Sequence, residues 1–485
     1  MKKQNLLIFI LLSVFQALAI NKKQQVAPPA PVFPIPTERQ LAWHEMEQYA
    51  FIHFTTNTFT GKEWGYGDES PEIFNPSEIN VNQWIKYVKQ AGLKGIILTC
   101  KHHDGFCLWP SKYTEHSVKN STWKNGKGDV VKEVAEACRK KGLKFGVYLS
   151  PWDRNRSDYG SPSYVEYYRN QLRELFTTYG PVFEMWFDGA NGGDGFYGGA
   201  KEKRKINGST YYDWPTTLNM VRKIEPGILF FSDAGPDIRW CGNESGYIGK
   251  TNWATINTDT IFAGKSGIDM ILNSGEENGK SWIPAEVDVS IRPGWFYHAE
   301  EDNMVKTPEQ LFEIYLSSVG RGANLILNIP PDRRGLLHEN DVKALQGWKK
   351  LIDEAFKKNL ALHSVVKSDS YRGNSKLYAA SNVIDGNKET YWATNDSVTT
   401  GNLVIDFGTE KTVKFITIQE YIKLGQRVKS FVIFTWNNNN WVEVTKGSTI
   451  GYKRILKIEP TVTAKVKIVI TASKASPLIS NIEIY

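Results

Sequence analysis

The sequence predicts an α/β architecture, a (β/α)8 barrel of the TIM type over residues 37–357, followed by an all-β sandwich over residues 358–485. Two observations indicate this division. As far as about residue 357, short apolar runs alternate with amphipathic helical patterns, which is typical of parallel βαβ units. Beyond it, short alternating runs such as NLVIDFG, SFVIFTW and KVKIVIT are separated by Gly, Asn, Ser and Thr, as in a β-sandwich. The length of 485 residues also exceeds what one ordinary domain requires.

The N-terminal segment predicts export. Residues 1–19 (MKKQNLLIFILLSVFQALA) have a basic start, a short apolar run and small residues at the end, which indicates a secretory signal peptide. The apolar run is short for a membrane span, and no Cys follows it to accept a lipid anchor. Residues 20–36 are polar and then Pro-rich, which predicts a linker. We therefore expect a secreted or periplasmic protein that is not inserted in a membrane.

Apolar runs that follow helical patterns predict the barrel strands. They occupy residues 49–55, 95–103, 144–153, 183–189, 228–233 and 324–331. Two further strands must lie between the last two of these runs, and GIDMILN (267–273) and GWFYHA (294–299) are the candidates. Strands that recur at long intervals, with a helix in each interval, suit a closed barrel better than an open sheet.

Composition excludes several classes of function. The formal net charge is +7, but no block of like charges stands out, so no nucleic-acid partner is expected. The chain has no GxSxG nucleophile elbow and no GxxxxGK(S/T) phosphate loop. Its four cysteines, Cys100, Cys107, Cys138 and Cys241, lack metal-ligand spacing. Export would permit disulfides, but we predict buried free thiols.

Polar and aromatic side chains gather at the predicted strand ends, where a barrel of this type has its active site. They are His53, Lys101, His102, His103, Tyr148, Trp152, Trp186, Asp188 and Asp233. Because neighbouring side chains on a strand point to opposite faces, His102 and His103 suit hydrogen bonds to a many-hydroxyl ligand better than a shared metal ion. Core histidines satisfied by backbone groups are the alternative for either one alone. The tryptophans near these ends favour a sugar, whose C–H faces stack on aromatic rings.

Hydrolysis of a glycoside requires two carboxyl groups. Asp188 follows an apolar strand and precedes Gly189, a position that would hold a nucleophile rigidly. Later segments supply the candidates for the second carboxyl: Asp233, Asp237, Glu244, Glu286 and Asp288.

Several segments together carry a family resemblance. FIHFTTNTFTGKEWGYGDE, KHHDGFCLWPS, FGVYLSPWD, FEMWFDGA, GPDIRWCGNE, PAEVDVSIRPGWFYH and NLILNIPPDRRG resemble α-L-fucosidases of glycoside hydrolase family 29. The GKEWGYG and GNE forms resemble the subfamily that prefers α-1,3 and α-1,4 linkages. In the tail, ASNVIDGNKETYWAT, LVIDFG and GQRVKSF resemble a discoidin-like sandwich, close to family 32 carbohydrate-binding modules.

The resemblance implies a secreted retaining exo-α-L-fucosidase that releases terminal L-fucose from fucosylated glycans without a catalytic cofactor. It makes Asp188 the nucleophile of a double displacement. It also implies these substrate-binding residues: His53, Glu63, Trp64, His102, His103, Tyr148, Trp186, Arg239, Glu286 and Trp295.

The general acid/base is predicted as Glu244, with Glu286 as the alternative. Glu244 lies in a Gly-flanked loop after the strand that ends at Asp233, and it matches the GNE position of the resembling subfamily. Glu286 has Arg292 nearby in sequence, and an ion pair between them would lower the pKa of a group that must be protonated before bond cleavage.

In the tail, the resemblance implies a structural Ca²⁺ held by Asp385, Thr390 and Glu483, and an ordinary Asp-Gly turn is the alternative. Two other functions stay open at this point. One is a catalytically inactive carbohydrate-binding protein on the same scaffold, and the other is a metal-dependent amidohydrolase on the barrel.

Overall fold

The computed structural model describes residues 26–485, and it shows a closed barrel of parallel strands followed by an antiparallel β-domain. The predicted signal peptide and residues 20–25 lie outside the described residues. No helix among residues 26–485 is long and apolar enough to cross a membrane.

The barrel closes in the strand order β1-β12-β11-β8-β7-β4-β3-β2, and every neighbouring pair is parallel. Its strands are β1 (Gln48–Ile52), β2 (Gly95–Lys101), β3 (Lys144–Leu149), β4 (Glu184–Trp186), β7 (Leu229–Ser232), β8 (Ile238–Trp240), β11 (Ala285–Ser290) and β12 (Asn324–Asn328). Two short hairpins lie in the connecting loops: β5 (Gly193–Gly195) with β6 (Glu202–Arg204), and β9 (Thr255–Ile256) with β10 (Ser281–Trp282).

The helices of the barrel domain lie between these strands in the chain. They are α1 (Glu38–His44), α2 (Asn57–Thr60), α3 (Val81–Gln90), α4 (Val130–Lys141), α5 (Pro162–Tyr179), α6 (Trp214–Ile224), α7 (Asp269–Ser274), α8 (Pro308–Ser317) and α9 (Glu339–Ala355). Local signals fix their ends, as α4 illustrates. The Asp129 side chain accepts a hydrogen bond from the Lys132 backbone N–H at the start, and Gly142 with φ +72° ends the helix.

Alternation along β1 separates two cores. Tyr49 and Phe51 point into the barrel with Ile97, Tyr148 and Trp186, whereas Ala50 and Ile52 pack outward against the helices. The inner core therefore reaches directly to the floor of any cavity at the carboxyl ends of the strands.

The two strands that the sequence did not reveal are β8 and β11, so the candidates 267–273 and 294–299 were wrong. Residues 269–274 form α7, and residues 294–298 form the loop after β11. The reason is local. The strand β8 has only the three residues Ile-Arg-Trp, and β11 (AEVDVS) carries two carboxyl groups into the interior, so neither reads as an apolar run.

The C-terminal domain is one antiparallel sheet system in the order β14-β19-β15-β18-β16-β17, with β13 also paired to β15. Its strands are β13 (Val365–Ser368), β14 (Trp392–Ala393), β15 (Gly401–Glu420), β16 (Val428–Asn437), β17 (Asn440–Gly447), β18 (Arg454–Ser473) and β19 (Leu478–Ile484). It contacts the barrel near the start of β1, where His44 stacks on Tyr452 and Lys453 pairs with Glu47. That is the end of the barrel opposite the carboxyl ends of the strands.

The described part of the predicted linker is docked, which its composition did not indicate. The guanidinium of Arg427 donates to the Ala30 carbonyl at 2.7 Å, and the Val32 N–H donates to the Leu424 carbonyl at 2.9 Å. Tyr378 further donates to the Val26 carbonyl at 3.1 Å. Residues 26–32 thus form an extended strap across the C-terminal domain, and we call this segment the N-terminal strap.

Candidate active site

A cavity of about 190 Å³ lies at the carboxyl ends of the barrel strands. It is smaller than the roughly 300–1,000 Å³ typical of pockets for drug-sized ligands, so it suits one small ring. The lining residues are Phe51, His53, Trp64, His102, His103, Tyr148, Trp186, Asp188, Ala190, Glu244, Asp288 and Trp295. The structure therefore brings most of the predicted site residues together in one place.

The Asp188 carboxylate follows directly from β4 and is fixed at both oxygens. Its Oδ2 accepts a hydrogen bond from the Tyr148 hydroxyl at 2.9 Å, and its Oδ1 accepts one from the Ala190 N–H at 2.7 Å. Burial raises the pKa of Asp188, while these two hydrogen bonds oppose the shift because they stabilise the ionised form. The arrangement holds a carboxylate rigidly at the pocket wall.

The three histidines of the pocket are neutral. Burial lowers the pKa of His53 and of His103 to about 3, and it lowers the pKa of His102 well below its ordinary value. The 3.8 Å contact between His103 Nε2 and Asp188 is therefore not an ion pair. Neutral imidazoles offer one donor and one acceptor each, which suits sugar hydroxyls.

The tautomer of His53 follows from its neighbours. Asn328 donates through its Nδ2 to the Ser290 hydroxyl and to the Trp295 carbonyl, so its Oδ1 faces His53 Nδ1 at 2.9 Å as an acceptor. His53 Nδ1 must then carry the proton, and Nε2 is left as a hydrogen-bond acceptor.

Glu244 lies on the rim of the pocket, in the loop after β8. Its Oε2 accepts a hydrogen bond from the indole N–H of Trp295 at 3.1 Å. Partial burial raises the pKa of Glu244, the Trp295 bond opposes this, and the negative charges of Asp188 and Glu63 add to it. Solvent reaches this side chain and moderates the shift. A raised pKa favours a carboxyl group that is protonated when the substrate binds.

Glu286 lies outside the pocket lining, below its floor. It is fully buried, and it accepts hydrogen bonds from the Tyr49 hydroxyl and from the Trp186 indole, the latter at 2.8 Å. The expected ion pair with Arg292 is wrong, because Arg292 pairs with Asp341 and Asp302. Burial instead raises the pKa of Glu286. Its position does not support a direct contact with substrate.

Arg239 also lies outside the pocket. On the short strand β8, Ile238 packs in the barrel interior, so the next side chain points outward. The Arg239 guanidinium donates to the backbone carbonyls of Leu272, at 2.9 Å, and of Ile283. The expectation that Arg239 binds substrate is therefore corrected to a buried structural role.

Glu63 holds the backbone of the segment that carries Trp295. Its carboxylate accepts hydrogen bonds from the Trp295 N–H at 2.7 Å and from the Phe296 N–H at 3.2 Å, and it contacts His298 Nε2 at 2.6 Å. These contacts fix the segment that carries Trp295, and Glu63 is not among the lining residues.

Asp288, which the sequence offered only as one of several candidates for the second carboxyl, is a lining residue of the pocket. It lies two residues after Glu286 on β11, so both side chains point into the barrel, one layer apart. Its Oδ1 accepts a hydrogen bond from the Trp240 indole at 2.8 Å, and burial raises its pKa. The alternation A-E-V-D-V-S contains the signal, provided that the segment is recognised as a strand.

No group of three or more His, Cys, Asp or Glu side chains within residues 26–485 is arranged to hold a metal ion. In the C-terminal domain, Thr390 Oγ1 donates to Asp385 Oδ2 at 2.7 Å, and the Asn387 N–H donates to Asp385 Oδ1 at 2.8 Å. Glu483 accepts a hydrogen bond from the Tyr485 hydroxyl at 3.0 Å. Two of the three predicted calcium ligands thus share one turn, and the calcium site stays a prediction.

A TIM-type barrel whose pocket combines three carboxyl groups with tryptophans and neutral histidines defines a glycoside hydrolase. The model of the α-L-fucosidase family matches residues 30–353, and that of the F5/8 type C domain matches residues 364–484. The chain belongs to the α-L-fucosidase family.

Similar proteins match this chain over nearly its whole length. This chain is 39% identical over 492 residues to alpha-L-fucosidase 1 of Arabidopsis thaliana, and the match covers 100% of this chain and 94% of that protein. A solved glycoside hydrolase 29 family member from an unknown rumen bacterium is 46% identical, with a TM-score of 0.84 and coverage of 94% and 78%. A GH29 fucosidase of Ruminococcus gnavus, solved in complex with fucose, is 34% identical, with a TM-score of 0.85 and coverage of 96% and 97%.

Proposed function

We propose that this α-L-fucosidase is a secreted, retaining exo-enzyme that releases terminal L-fucose by double displacement. Asp188 is the nucleophile, and Glu244 is the general acid/base. The observation that carries this proposal is the small pocket that has Asp188 and Glu244 in its lining. A pocket for one ring favours removal of a terminal sugar, and a glycosidase of this kind needs two carboxyl groups on opposite sides of the scissile bond.

In the first step, Asp188 attacks the anomeric carbon while Glu244 protonates the oxygen of the leaving group. The Tyr148 hydroxyl and the Ala190 N–H hold the attacking carboxylate, so little reorientation is needed on the path to the covalent intermediate. In the second step, Glu244, now ionised, takes a proton from water, and that water releases fucose from Asp188 with the original anomeric configuration.

The neutral histidines bind the sugar hydroxyls in this proposal. His53 accepts through Nε2, because its Nδ1 proton is directed at Asn328. Trp64, which is half exposed, and Trp295 offer ring faces at the rim of the cavity. The natural substrates are fucosylated glycans with α-1,3 or α-1,4 linkages, which is what the GKEWGYG and GNE forms imply. A panel of fucosylated oligosaccharides that differ only in linkage, with free fucose as the readout, tests this preference.

The nucleophile is tested by Asp188→Asn. This variant should fold normally and lose nearly all turnover, because the amide cannot form the glycosyl ester. An NMR time course should show α-L-fucose as the first product of the unmodified protein. Near-normal turnover of Asp188→Asn, or β-fucose as the first product, would contradict the proposal.

The acid/base is tested by Glu244→Ala on two substrates. A natural oligosaccharide has a poor leaving group and should lose activity severely, whereas an aryl fucoside should lose less. Azide should restore turnover by attacking the glycosyl ester on Asp188 in place of water, which forms α-fucosyl azide with the original anomeric configuration. Glu286→Ala is the matched control, because that carboxyl lies below the pocket and should show no rescue by azide. If the rescue appears in Glu286→Ala and not in Glu244→Ala, the assignment of the two glutamates must be exchanged.

A further inference from the structure

Directly below the pocket floor lies a buried cluster that the proposed reaction does not use. The Tyr49 hydroxyl accepts a hydrogen bond from the Trp43 indole at 2.9 Å, and it contacts one oxygen of Glu184, at 3.0 Å, and one oxygen of Glu286. Both glutamates and Tyr49 are completely shielded from solvent. Three barrel strands, β1, β4 and β11, supply the three side chains, which we call the carboxyl cluster.

The protons available to the carboxyl cluster can be counted. The Tyr49 hydroxyl has a single proton, so it donates to only one of the two carboxyl groups at a time. Within residues 26–485, no Lys, Arg or His forms an ion pair with Glu184 or Glu286. Two ionised carboxylates beside one hydroxyl, with no cation among the described residues to pair with them, would repel strongly. At least one of them must therefore be protonated.

The hydrogen bonds show which glutamate carries the charge. Glu286 accepts at both oxygens, from the Trp186 indole and from the Tyr49 hydroxyl. Glu184 has one oxygen near Tyr49, and its other oxygen accepts no hydrogen bond from residues 26–485. Since a carboxylate is stabilised by the donors it accepts from, the charge belongs on Glu286 and the proton on Glu184. Burial raises the pKa of both groups, which agrees with a retained proton.

Trp186 connects Glu286 to the active site, because its indole donates a hydrogen bond to Glu286 and also lines the pocket. The indole of Trp186 forms a wall of the pocket and lies two residues before Asp188. It is stacked between Phe231, with ring centroids 4.1 Å apart, and Tyr148, at 5.4 Å. Tyr148 in turn donates its hydroxyl proton to Asp188. The orientation of the indole thus sets both the shape of the wall and the place of a donor to the nucleophile.

We propose that Glu286 is a positioning residue, whose carboxylate holds the Trp186 indole by a charge-assisted hydrogen bond while a protonated Glu184 keeps the pair singly charged. The inference rests on the proposed function, because it assigns the support of that same pocket. It also gives the two glutamates different properties. Glu184 is replaceable by a neutral amide, whereas Glu286 is not replaceable by an apolar group.

The test compares KM and kcat for a nitrophenyl α-L-fucoside in the full chain. Glu184→Gln should keep both constants close to the unmodified values, because the amide resembles a protonated carboxyl. Glu286→Leu should raise KM by about tenfold or more, the range expected when a hydrogen bond to a charged group is lost. Glu286→Gln, which retains one acceptor, should fall between them and carries the test if the leucine variant does not fold.

A double-mutant cycle with Trp186→Phe separates positioning from general loss of stability. Phenylalanine has no indole N–H, so in that background Glu286→Leu or Glu286→Gln should raise KM little further. Glu420→Gln is the matched control, because this carboxyl is equally buried but lies in the C-terminal domain, and it should leave KM unchanged.

Equal effects of the Glu286 variants in both backgrounds, or a Glu184→Gln defect as large as that of Glu286→Leu, would overturn the inference. Turnover by the unmodified protein tests the proposed function separately. If that turnover is absent, the dissociation constant for fucose replaces KM in the same cycle.

Discussion

Replacement of Tyr148 by Phe isolates one hydrogen bond to Asp188, the proposed nucleophile. The Tyr148 hydroxyl lies 2.9 Å from Asp188 Oδ2, and the ring, which phenylalanine retains, packs against Trp186 and His102. A hydrogen bond to a charged group contributes about 1.5–3 kcal/mol, and about 1.4 kcal/mol corresponds to one pH unit. Loss of this donor destabilises the ionised form of Asp188 and raises its pKa. In the proposed mechanism Asp188 must be ionised to attack, so the acidic limb of the kcat/KM profile should move up by about one to two pH units.

The assay is the pH dependence of kcat/KM for a nitrophenyl α-L-fucoside, which reports the free enzyme. Tyr168→Phe is the matched control. It also removes a buried tyrosine hydroxyl, but that hydroxyl donates to the Leu149 carbonyl at 2.7 Å and does not touch the pocket. Its acidic limb should stay in place. An unmoved limb in Tyr148→Phe, with normal folding, would refute the view that this hydroxyl stabilises the ionised nucleophile.

Three further predictions concern stability and the C-terminal domain. Burial raises the pKa of Glu184, so folding requires proton uptake and stability declines as pH rises above the unfolded pKa of about 4.3. The melting temperature of Glu184→Gln should therefore rise relative to that of the unmodified protein as pH increases. A difference in melting temperature that stays constant with pH would contradict this. If Asp385 and Thr390 bind calcium, a chelator should lower the melting temperature of the unmodified full chain but not that of Asp385→Ala. Equal melting curves of the unmodified chain with and without chelator would favour the Asp-Gly turn. A chain that begins at Phe33 lacks the N-terminal strap and should melt at a lower temperature with kcat/KM unchanged, since the strap's hydrogen bonds at Val26, Ala30 and Val32 all go to the C-terminal domain. A loss of activity would contradict this.

The sequence was informative about the fold wherever a strand is apolar on both faces. The runs that begin β2 and β12 are buried throughout and stand out as apolar segments between helices. The strands β8 and β11 were not recognised from the sequence. The strand β8 is too short for a pattern, and β11 carries Glu286 and Asp288 into the barrel interior. A functional barrel requires carboxyl groups on some of its strands, and these groups interrupt the apolar pattern by which a strand is recognised.

The same reasoning explains which site residues were predictable. Residues at strand ends, such as His53 and Asp188, were found because the end of an apolar run is visible in the sequence. The side of the barrel that Arg239 faces was not, since it depends on where a three-residue strand begins. The depth of Glu286 below the pocket was also not predictable, because layers along a strand become distinct only once the barrel is closed.

The choice of donors around the pocket follows from the charge that each carboxyl needs. Three indoles each donate to one carboxyl: Trp186 to Glu286, Trp240 to Asp288, and Trp295 to Glu244. No Lys or Arg among the described residues pairs with any of these three carboxyls or with Asp188. A cation would lower the pKa of Glu244 and remove the proton that the leaving group needs, whereas a neutral indole satisfies the oxygen without that strong effect. The proposed mechanism needs Asp188 ionised in the same partly buried pocket, and there two donors, the Tyr148 hydroxyl and the Ala190 N–H, act on one carboxylate. In the proposed mechanism, two donors on Asp188 favour its ionised form as nucleophile, and the single donor on Glu244 leaves that carboxyl better suited to act as the acid.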